Sequence, residues 1–186
     1  MINIEVDRLG FAQGYFPFNS NELDTLKSIA KEASQLSTED RKNIFKNFPL
    51  VKQLFEQAIE KPHFNLKLTD YCFYIEKNTD DRNWPLLFHK DINLPAYMDI
   101  ADNEKMDFLE NAIMFRLTLD TSDKETGAIK VIPKSHLDED IKEKEVFVDT
   151  EEGEVIFFKP LLLHGSNKMK RPHTRRVFQA LCIEVK

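Results

Sequence analysis

A histidine and an aspartate, His89 and Asp91, stand two positions apart at the end of the apolar run LLFHKD. If this run is a β-strand, both side chains point to the same face, because side chains alternate along a strand. One imidazole and one carboxylate would then converge as ligands for a metal ion. The pair is weak evidence by itself, since a strand that simply runs out into solvent has the same pattern.

Among the remaining histidines, His164 is the best candidate for a third ligand. It closes the apolar run PLLL and is followed by Gly165, a pattern that predicts a polar side chain presented at the end of a buried strand. A satisfied core histidine is the alternative. His63 and His173 each follow a proline, and His136 ends the turn PKSH, where we interpret it as structural. Two histidines and one carboxylate form the ligand set that leaves open positions on non-haem Fe(II).

A possible partner for an anionic ligand is Arg175, which begins the run RRVFQALCIEV. This run predicts a strand that is apolar on both faces, with Arg175, Val177 and Gln179 on one side and Arg176 on the other. A partly buried guanidinium needs an anion, and its fork geometry suits a carboxylate. The alternatives are that Arg175 pairs with one of the chain's own acids or caps the neighbouring loop.

The composition favours some protein classes and excludes others. A chain of 186 residues fits a single domain, and its net charge of -6 argues against a nucleic-acid-binding surface. Cys72 and Cys182 are the only cysteines and form no CxxC motif, which argues against a zinc knuckle or redox pair and fits a reducing cytoplasm. We expect neither a secretory leader nor a membrane span.

The organisation along the chain predicts helices first and strands afterwards. Residues 1–61 carry helical patterns, and three helices are expected to begin near Ser20 or Asn21, near Ser37, and at Pro49; the first runs to about Gln35. From about residue 62 to 186 the pattern changes to short runs rich in Val, Ile, Phe and Leu. Such runs without alternating helices are typical of an antiparallel sandwich or barrel. The expected strands are HFNLKLTDYCFYIEK, IMFRLTLD, AIKVIP, EVFVD, EVIFFK, LLLHGS and RRVFQALCIEV.

Four segments in consistent order resemble the phytanoyl-CoA dioxygenase family: FHKD, RLTLDTSDKETGAIKVIPKSH, FFKPLLLHGSN and RRVFQALCIE, within about residues 83–185. The resemblance implies an Fe(II)- and 2-oxoglutarate-dependent oxygenase whose core is a double-stranded β-helix, a jelly-roll, cupin-like fold. It further implies that His89, Asp91 and His164 bind the iron. Arg175 matches the arginine that binds the distal carboxylate of 2-oxoglutarate, and Ser166 matches a position that assists it in some members.

Departures from the family pattern do not touch the implied ligands. Phe88 and Lys90 stand where the family often has Trp and Gln, and Lys134 replaces the glycine of the usual PGSH turn. Asp91 is present, whereas related halogenases carry a small residue at this position, so halogenation is disfavoured. The resemblance implies oxidation of a substrate C–H bond, coupled to the conversion of 2-oxoglutarate to succinate and CO2.

Two further polar residues, Arg116 and Thr118, share one face of the run IMFRLTLD. Polar residues within an apolar strand suggest a face that lines a cavity, and we include both among the residues that bind the co-substrate. A solvent-facing strand surface is the alternative. Residues 92–111 predict a substrate loop, with Tyr97 and Met98 available for packing. The short chain leaves little room for a large lid, which favours a small or medium organic substrate.

Two other functional classes use the same residues. A zinc hydrolase also needs three protein ligands and a water, but it gives no role to Arg175. A non-enzymatic binding module on the same scaffold would retain the cavity without turnover. The expected partner in every case is a small molecule rather than nucleic acid or a membrane.

Overall fold

The computed structural model describes residues 2–15, 18–60, 65–138 and 140–185. Pro62 and His63 therefore lie outside the described residues. The α-helices are α1 (Ile2–Leu9), α2 (Ser20–Ala33), α3 (Thr38–Arg41), α4 (Ile44–Asn47), α5 (Pro49–Ile59) and α6 (Lys105–Glu110), and Ala96–Met98 form a short 3₁₀ helix. The strands are β1 (Phe11–Tyr15), β2 (Leu66–Asn78), β3 (Leu86–His89), β4 (Ala112–Thr118), β5 (Ile129–Val131), β6 (Val146–Val148), β7 (Glu154–Phe158), β8 (His164–Ser166) and β9 (Thr174–Glu184).

The strands form two antiparallel sheets that pack as a sandwich. The larger sheet has the order β1-β7-β4-β9-β2 and the smaller one the order β3-β8-β5-β6. Buried residues from both sheets, among them Met114 and Phe158 from the larger sheet and Val131 from the smaller one, form one apolar cluster between them. This arrangement confirms the predicted β-helix core with helices at its N-terminal side.

Alternation along the strands of the larger sheet gives its two faces different partners. Phe115 of β4 and Phe178 of β9 point towards the N-terminal helices, where both rings contact Phe55 of α5 at centroid distances of 5.0 and 6.3 Å. A fully buried Phe side chain contributes about 1.5–3 kcal/mol to stability. The helices thus cover one face of the sheet, and the opposite face is left to form the wall of a cavity.

The N-terminal region differs in detail from the sequence prediction. Asn19, rather than Ser20 or Asn21, caps α2: its side chain accepts a hydrogen bond from Glu22 N at 3.0 Å, and the Glu22 carboxylate accepts one from Asn19 N at 2.8 Å. This reciprocal capping box satisfies two backbone donors at once, which explains the earlier start. The sequence patterns predicted neither α1 nor β1. A short strand such as β1 is hard to recognise in the sequence, because it depends on antiparallel pairing with the distant β7.

The run LLLHGS, predicted as one strand ending near His164, is only partly a strand. Pro160 and Leu161 form a turn in which Leu162 N donates to Lys159 O at 2.9 Å, and β8 begins at His164. Leu161 and Leu162 are buried from this turn. The apolar character of this run therefore reflects burial and not an extended backbone. His164 is the first residue of its strand and not the last.

No helix within the described ranges has the length and apolar character that crossing a bilayer requires.

Candidate metal centre and its cavity

The three residues predicted as metal ligands meet between β3 and β8. His89, the last residue of β3, is the direct antiparallel partner of His164, the first residue of β8, and their ring centroids lie 4.3 Å apart. Asp91 follows β3, and its backbone N–H donates to Pro160 O at 2.8 Å, which ties it to the turn before β8. One ligand atom from each of the three side chains lies within 4.8 Å of the other two.

The hydrogen bonds of both imidazoles direct their Nε2 atoms at Asp91. His89 Nδ1 lies 2.9 Å from Leu87 O, and His164 Nδ1 lies 2.9 Å from Leu162 O. Because a carbonyl oxygen only accepts hydrogen bonds, each Nδ1 carries a proton and each neutral ring presents the lone pair of Nε2. These Nε2 atoms lie 3.4 Å from Asp91 Oδ1 and 3.5 Å from Asp91 Oδ2, respectively. Two lone pairs and a carboxylate converging on one point fit a divalent cation.

The titration behaviour of the triad is consistent with metal ligation. Burial acts to raise the pKa of Asp91, but hydrogen bonding to His89 and electrostatic interactions with His164, His89 and Arg116 outweigh it and lower this pKa. Burial lowers the pKa of His164, which favours its neutral ring. The pKa of His89 is raised, chiefly by its hydrogen bond with Asp91. A proton on His89 and a metal ion therefore compete for the same position.

The triad lies in the wall of a cavity of about 800 Å³, a size within the usual range for small-molecule sites. The inner face of β2 contributes a row of alternate residues, Tyr71, Phe73, Ile75 and Lys77. Lys77 pairs in register with Arg175 of β9, and Phe73 pairs with Gln179, which lies beside Asp91. The larger sheet thus carries the basic end of the cavity and, through Gln179, also reaches the metal end, whose ligands come from the smaller sheet and the residue that follows β3.

Three buried cations face this cavity: Lys77, Arg116 and Arg175, with 2%, 6% and 3% of their surface exposed. In the described part of the chain no Asp or Glu forms an ion pair with any of them; their contacts are to neutral oxygen atoms. Arg175 donates to Gly127 O, and its buried Nε has no hydrogen-bond partner among the described residues. Burying a charge without a counter-charge costs several kcal/mol, so this cluster is suited to binding an anion.

Burial lowers the pKa of all three cationic groups. It lowers the pKa of Lys77 to about 7, with further contributions from Arg175 and Arg116. Burial likewise lowers the pKa of Arg116 to about 9 and that of Arg175 to about 10. Lys77 Nζ donates to Ser166 Oγ and to Trp84 O, both at 2.7 Å. Lys77 and Ser166 thus lie at the basic end together with Arg175, which is the register partner of Lys77.

Arg175, Arg176 and Arg116 have three different environments. The suggested ion pair with an internal acid belongs to Arg176, not Arg175: Arg176 Nε and Nη2 donate to the carboxylate of Asp120 at 2.9 and 2.7 Å on the opposite strand face. The alternative that Arg175 caps the neighbouring loop is partly correct, since its guanidinium donates a hydrogen bond to the loop carbonyl Gly127 O. Arg116 lines the cavity, whereas Thr118 is buried and is not among the residues that line it. Because both residues are buried, the solvent-facing alternative for this strand surface was wrong.

Two other features of the sequence prediction are the 92–111 segment and His136. The 92–111 segment contains the 3₁₀ helix and α6, and its residues 93–97 line the cavity mouth, where Tyr97 Oη donates to Lys42 O at 2.8 Å. Met98 packs against the inter-sheet cluster. His136 lies away from the triad, with Nε2 3.1 Å from Asp7 O and the ring against Gly10.

Lys77 and Gln179 were not among the predicted site residues. The signal for Lys77 was present, because it continues the row of alternate residues Tyr71, Phe73 and Ile75 on one face of its strand. Gln179 was placed on the face of Arg175 but was given no role. It donates through Nε2 to Asp91 Oδ2 at 3.1 Å and accepts through Oε1 from Arg116 Nη1 at 2.7 Å.

A two-histidine, one-carboxylate centre inside a double-stranded β-helix defines the class of non-haem iron oxygenases that use 2-oxoglutarate. The sequence profile described as phytanoyl-CoA dioxygenase (PhyH) matches residues 16–177. The chain belongs to the phytanoyl-CoA dioxygenase family. No curated protein sequence matches it.

Solved structures of similar fold come from several oxygenases. The non-heme alpha ketoglutarate dependent epimerase SnoN from nogalamycin biosynthesis has a TM-score of 0.74 at 14% identity, over 98% of this chain and 81% of SnoN. EctD from S. alaskensis, solved with bound Fe, has a TM-score of 0.73 at 17% identity, over 97% of this chain and 74% of EctD. HygX from Streptomyces hygroscopicus, with iron bound, has a TM-score of 0.71 at 14% identity, over 97% and 84% of the two chains. SnoN has also been solved with Fe3+, alpha ketoglutarate and nogalamycin RO.

Proposed function

We propose that this protein is an Fe(II)- and 2-oxoglutarate-dependent dioxygenase that hydroxylates a C–H bond of a small or medium organic substrate and releases succinate and CO2. The observation that carries the proposal is the presence of two complementary ends in one cavity. The triad of His89, Asp91 and His164 is suited to a cation, and the cluster of Lys77, Ser166 and Arg175 is suited to an anion.

The order of groups between these two ends suits 2-oxoglutarate. Along β9, Gln179 lies beside Asp91 and Arg175 lies at the basic end, with Val177 between them on the same face. Residues on one face of a strand recur about every 6.8 Å, so Arg175 and Gln179 are two such steps apart and their side chains reach towards the space between them. Val177 pairs with Ile75 on one side and with Thr118 on the other, so a mostly apolar rung separates the two ends. A ligand with a chelating head, two methylene groups and a distal carboxylate matches this order.

The proposal gives a role to each polar residue of the triad and of the basic end. His89, Asp91 and His164 would hold the iron, which, when bound, supplies the oxidation of the substrate with O2 and 2-oxoglutarate. Arg175 would hold the distal carboxylate through its fork, with Lys77 as a second cation and Ser166 as a hydrogen-bond partner. Arg116, the register partner of Gln179, would face the metal end of the co-substrate site, and Thr118 would pack behind its apolar middle as the register partner of Val177.

Hydroxylation is the proposed outcome because it requires of the protein only that a C–H bond be held near the metal. Other outcomes occur on this fold, since two proteins of similar structure are described as an epimerase and a carbocyclase. The outer cavity presents Trp84, Leu86, Leu94 and Tyr97 to a substrate, and its mouth carries polar side chains from α3 and α4. These walls suit an organic molecule with an apolar body and polar substituents.

A zinc hydrolase or a non-enzymatic binding module explains less of the cavity. Hydrolysis at a zinc-bound water uses the triad but leaves three buried cations without a purpose. A binding module would need the cations but not a cation-binding triad of this geometry.

The proposal is tested by anaerobic reconstitution with Fe(II) and 2-oxoglutarate, followed by air and measurement of succinate. We expect slow uncoupled succinate formation and an increase when a screened metabolite is the substrate, with His164→Ala as the inactive control. Absence of 2-oxoglutarate consumption with Fe(II), together with ester hydrolysis in the Zn(II)-loaded protein, would establish the hydrolase instead. Absence of both activities would favour the binding module.

A further inference from the structure

Gln179 connects the carboxylate of the candidate metal centre to a buried cation. It lies on the inner face of β9 with 4% of its surface exposed, directly opposite Arg116 of β4 in the sheet register. Its Nε2 donates to Asp91 Oδ2 at 3.1 Å, and its Oε1 accepts from Arg116 Nη1 at 2.7 Å. The three side chains therefore form a continuous relay, Arg116–Gln179–Asp91.

The direction of this relay follows from the chemistry of its ends. A guanidinium has only donors, and an ionised carboxylate has only acceptors. The amide of Gln179 must therefore turn its oxygen to Arg116 and its nitrogen to Asp91, because the reverse orientation would oppose two donors at one end and two acceptors at the other. Arg116 thus fixes the rotation of the amide, and the amide fixes Asp91.

The relay treats the two oxygen atoms of Asp91 differently. Oδ2 lies 3.5 Å from His164 Nε2 and also accepts the hydrogen bond from Gln179, whereas Oδ1 lies 3.4 Å from His89 Nε2 and has no amide partner. The hydrogen bond occupies one of the lone pairs of Oδ2, which favours Oδ1 as the oxygen that binds a metal. Because the triad site must keep its remaining positions open for co-substrate and oxygen, a second carboxylate oxygen on the metal would occupy a position that they need.

We propose that Gln179, oriented by Arg116, is a positioning residue that makes Asp91 a one-oxygen metal ligand through Oδ1. This inference rests on the proposed function, since it concerns the same metal site. It assigns Arg116 a role on the protein side of the site, in addition to lining the cavity. Outer partners of this kind typically change metal affinity by about 10- to 100-fold when they are removed.

The test is a titration of the purified metal-free protein with Co(II), which requires no turnover. Gln179→Met keeps the volume and removes both hydrogen bonds, and we expect Co(II) affinity to fall by about 10- to 100-fold with a changed visible absorption spectrum of the bound ion. Gln13→Met is the matched control, because Gln13 donates to Glu154 Oε2 at 2.9 Å on β1, away from the cavity. It should leave affinity and spectrum unchanged. Gln179→Asn, whose shorter amide cannot span the same gap, should behave like Gln179→Met and serves if that variant does not fold.

A double-variant cycle separates positioning from packing. In an Arg116→Met background the amide has lost its orienting partner, so adding Gln179→Met should weaken Co(II) binding clearly less than it does in the wild type. An equal loss in both backgrounds, or an unchanged Co(II) spectrum in Gln179→Met, would overturn the relay. If the wild-type protein itself fails to bind Co(II) and Fe(II), the proposed function fails first, and the two failures are therefore distinguishable.

Discussion

His89 and His164 are direct partners in the antiparallel register of β3 and β8, with ring centroids 4.3 Å apart. Each ring is held by a backbone carbonyl two residues before it, Leu87 O and Leu162 O, so that both Nε2 atoms face Asp91. The ligand atoms are thus oriented by the backbone of the strands before any ion arrives. Four predictions follow from this arrangement and from the basic end of the cavity.

Replacing His164 by Ala should abolish tight binding of one Fe(II), or of Mn(II), Co(II) or Ni(II) as surrogates, because two ligands cannot retain the ion. The fold should persist, since the apolar cluster between the sheets is formed by other side chains, among them Met114, Val131 and Phe158. Metal content and circular dichroism measure the two effects. His173→Ala is the control and should bind metal like the wild type. Full iron occupancy in His164→Ala would show that the ligand set is wrong.

Replacing Gly165 by Ala should disturb the pairing that brings the two histidines together. A Cβ at this position would lie 2.6 Å from Leu86 O and 3.2 Å from Leu87 C, and both contacts are with the backbone of β3. Because backbone atoms cannot move aside as a flexible side chain can, β3 and β8 must separate. We expect a lower melting temperature together with weaker Co(II) binding, measured by calorimetry and metal titration. A stable variant with normal metal affinity would contradict the close approach of these strands.

Replacing Arg175 by Ala should weaken 2-oxoglutarate binding by about 30- to several-thousand-fold. The estimate takes about 2–5 kcal/mol for the truncation of a buried charge pair and about 1.4 kcal/mol per tenfold change. Arg175→Lys should recover part of the loss, because a point charge cannot reproduce the guanidinium fork. Anaerobic titration of 2-oxoglutarate into the Fe(II) protein, followed by the absorbance of the chelate, measures both variants.

Arg176→Ala is the control for this series. Its side chain pairs with Asp120 on the opposite strand face, so we expect lower thermal stability but nearly unchanged 2-oxoglutarate affinity. A large binding defect in Arg176→Ala with normal binding in Arg175→Ala would reverse the assignment of the two faces. Normal binding in both variants would remove the case for a carboxylate at the basic end.

The lysine at the basic end should make 2-oxoglutarate affinity depend on pH. The pKa of Lys77 is lowered to about 7, chiefly by burial. Lys77 is therefore charged below about pH 7 and becomes neutral above it, and a bound carboxylate favours the charged form. We expect affinity to fall as the pH rises from about 7 to about 9, with uptake of a proton on binding in that range.

Comparison with Lys77→Met isolates this contribution, because the pH dependence of the metal ligands is common to both proteins. The variant should bind 2-oxoglutarate more weakly near pH 7 and show a flatter pH profile. Calorimetry in two buffers of different ionisation enthalpy measures the proton uptake directly. Identical pH profiles and identical proton uptake in the two proteins would exclude Lys77 from the co-substrate site.

Much of the site could be predicted because its signals are local in the sequence. The His-x-Asp spacing keeps His89 and Asp91 close along the chain, although Asp91 lies beyond the end of β3 and is held by the hydrogen bond of its backbone N–H to Pro160 O. Alternation along β9 separates Arg175 from Arg176, and the ion pair of Arg176 with Asp120 shows that the two side chains have opposite environments. The positions of most β-core strands along the chain could be predicted for the same reason, since each apolar run is short and bounded by turn residues.

Other features were misread or missed because they depend on partners far along the chain. His164 opens β8 because a turn after β7 buries Leu161 and Leu162, and an apolar run alone cannot distinguish a buried turn from a strand. Lys77 gains significance only because the register of β2 and β9 places it opposite Arg175.

The sequence by itself determined the kinds of ligand, their order along the chain and the strand faces that carry them, because residue type and alternation are properties of short segments. Only the tertiary structure decided that β3 pairs with β8 through His89 and His164, and that β4 and β9 set Arg116 opposite Gln179. These registers are fixed by packing between the two sheets and by packing of the N-terminal helices on the larger sheet, which brings together residues far apart in the chain.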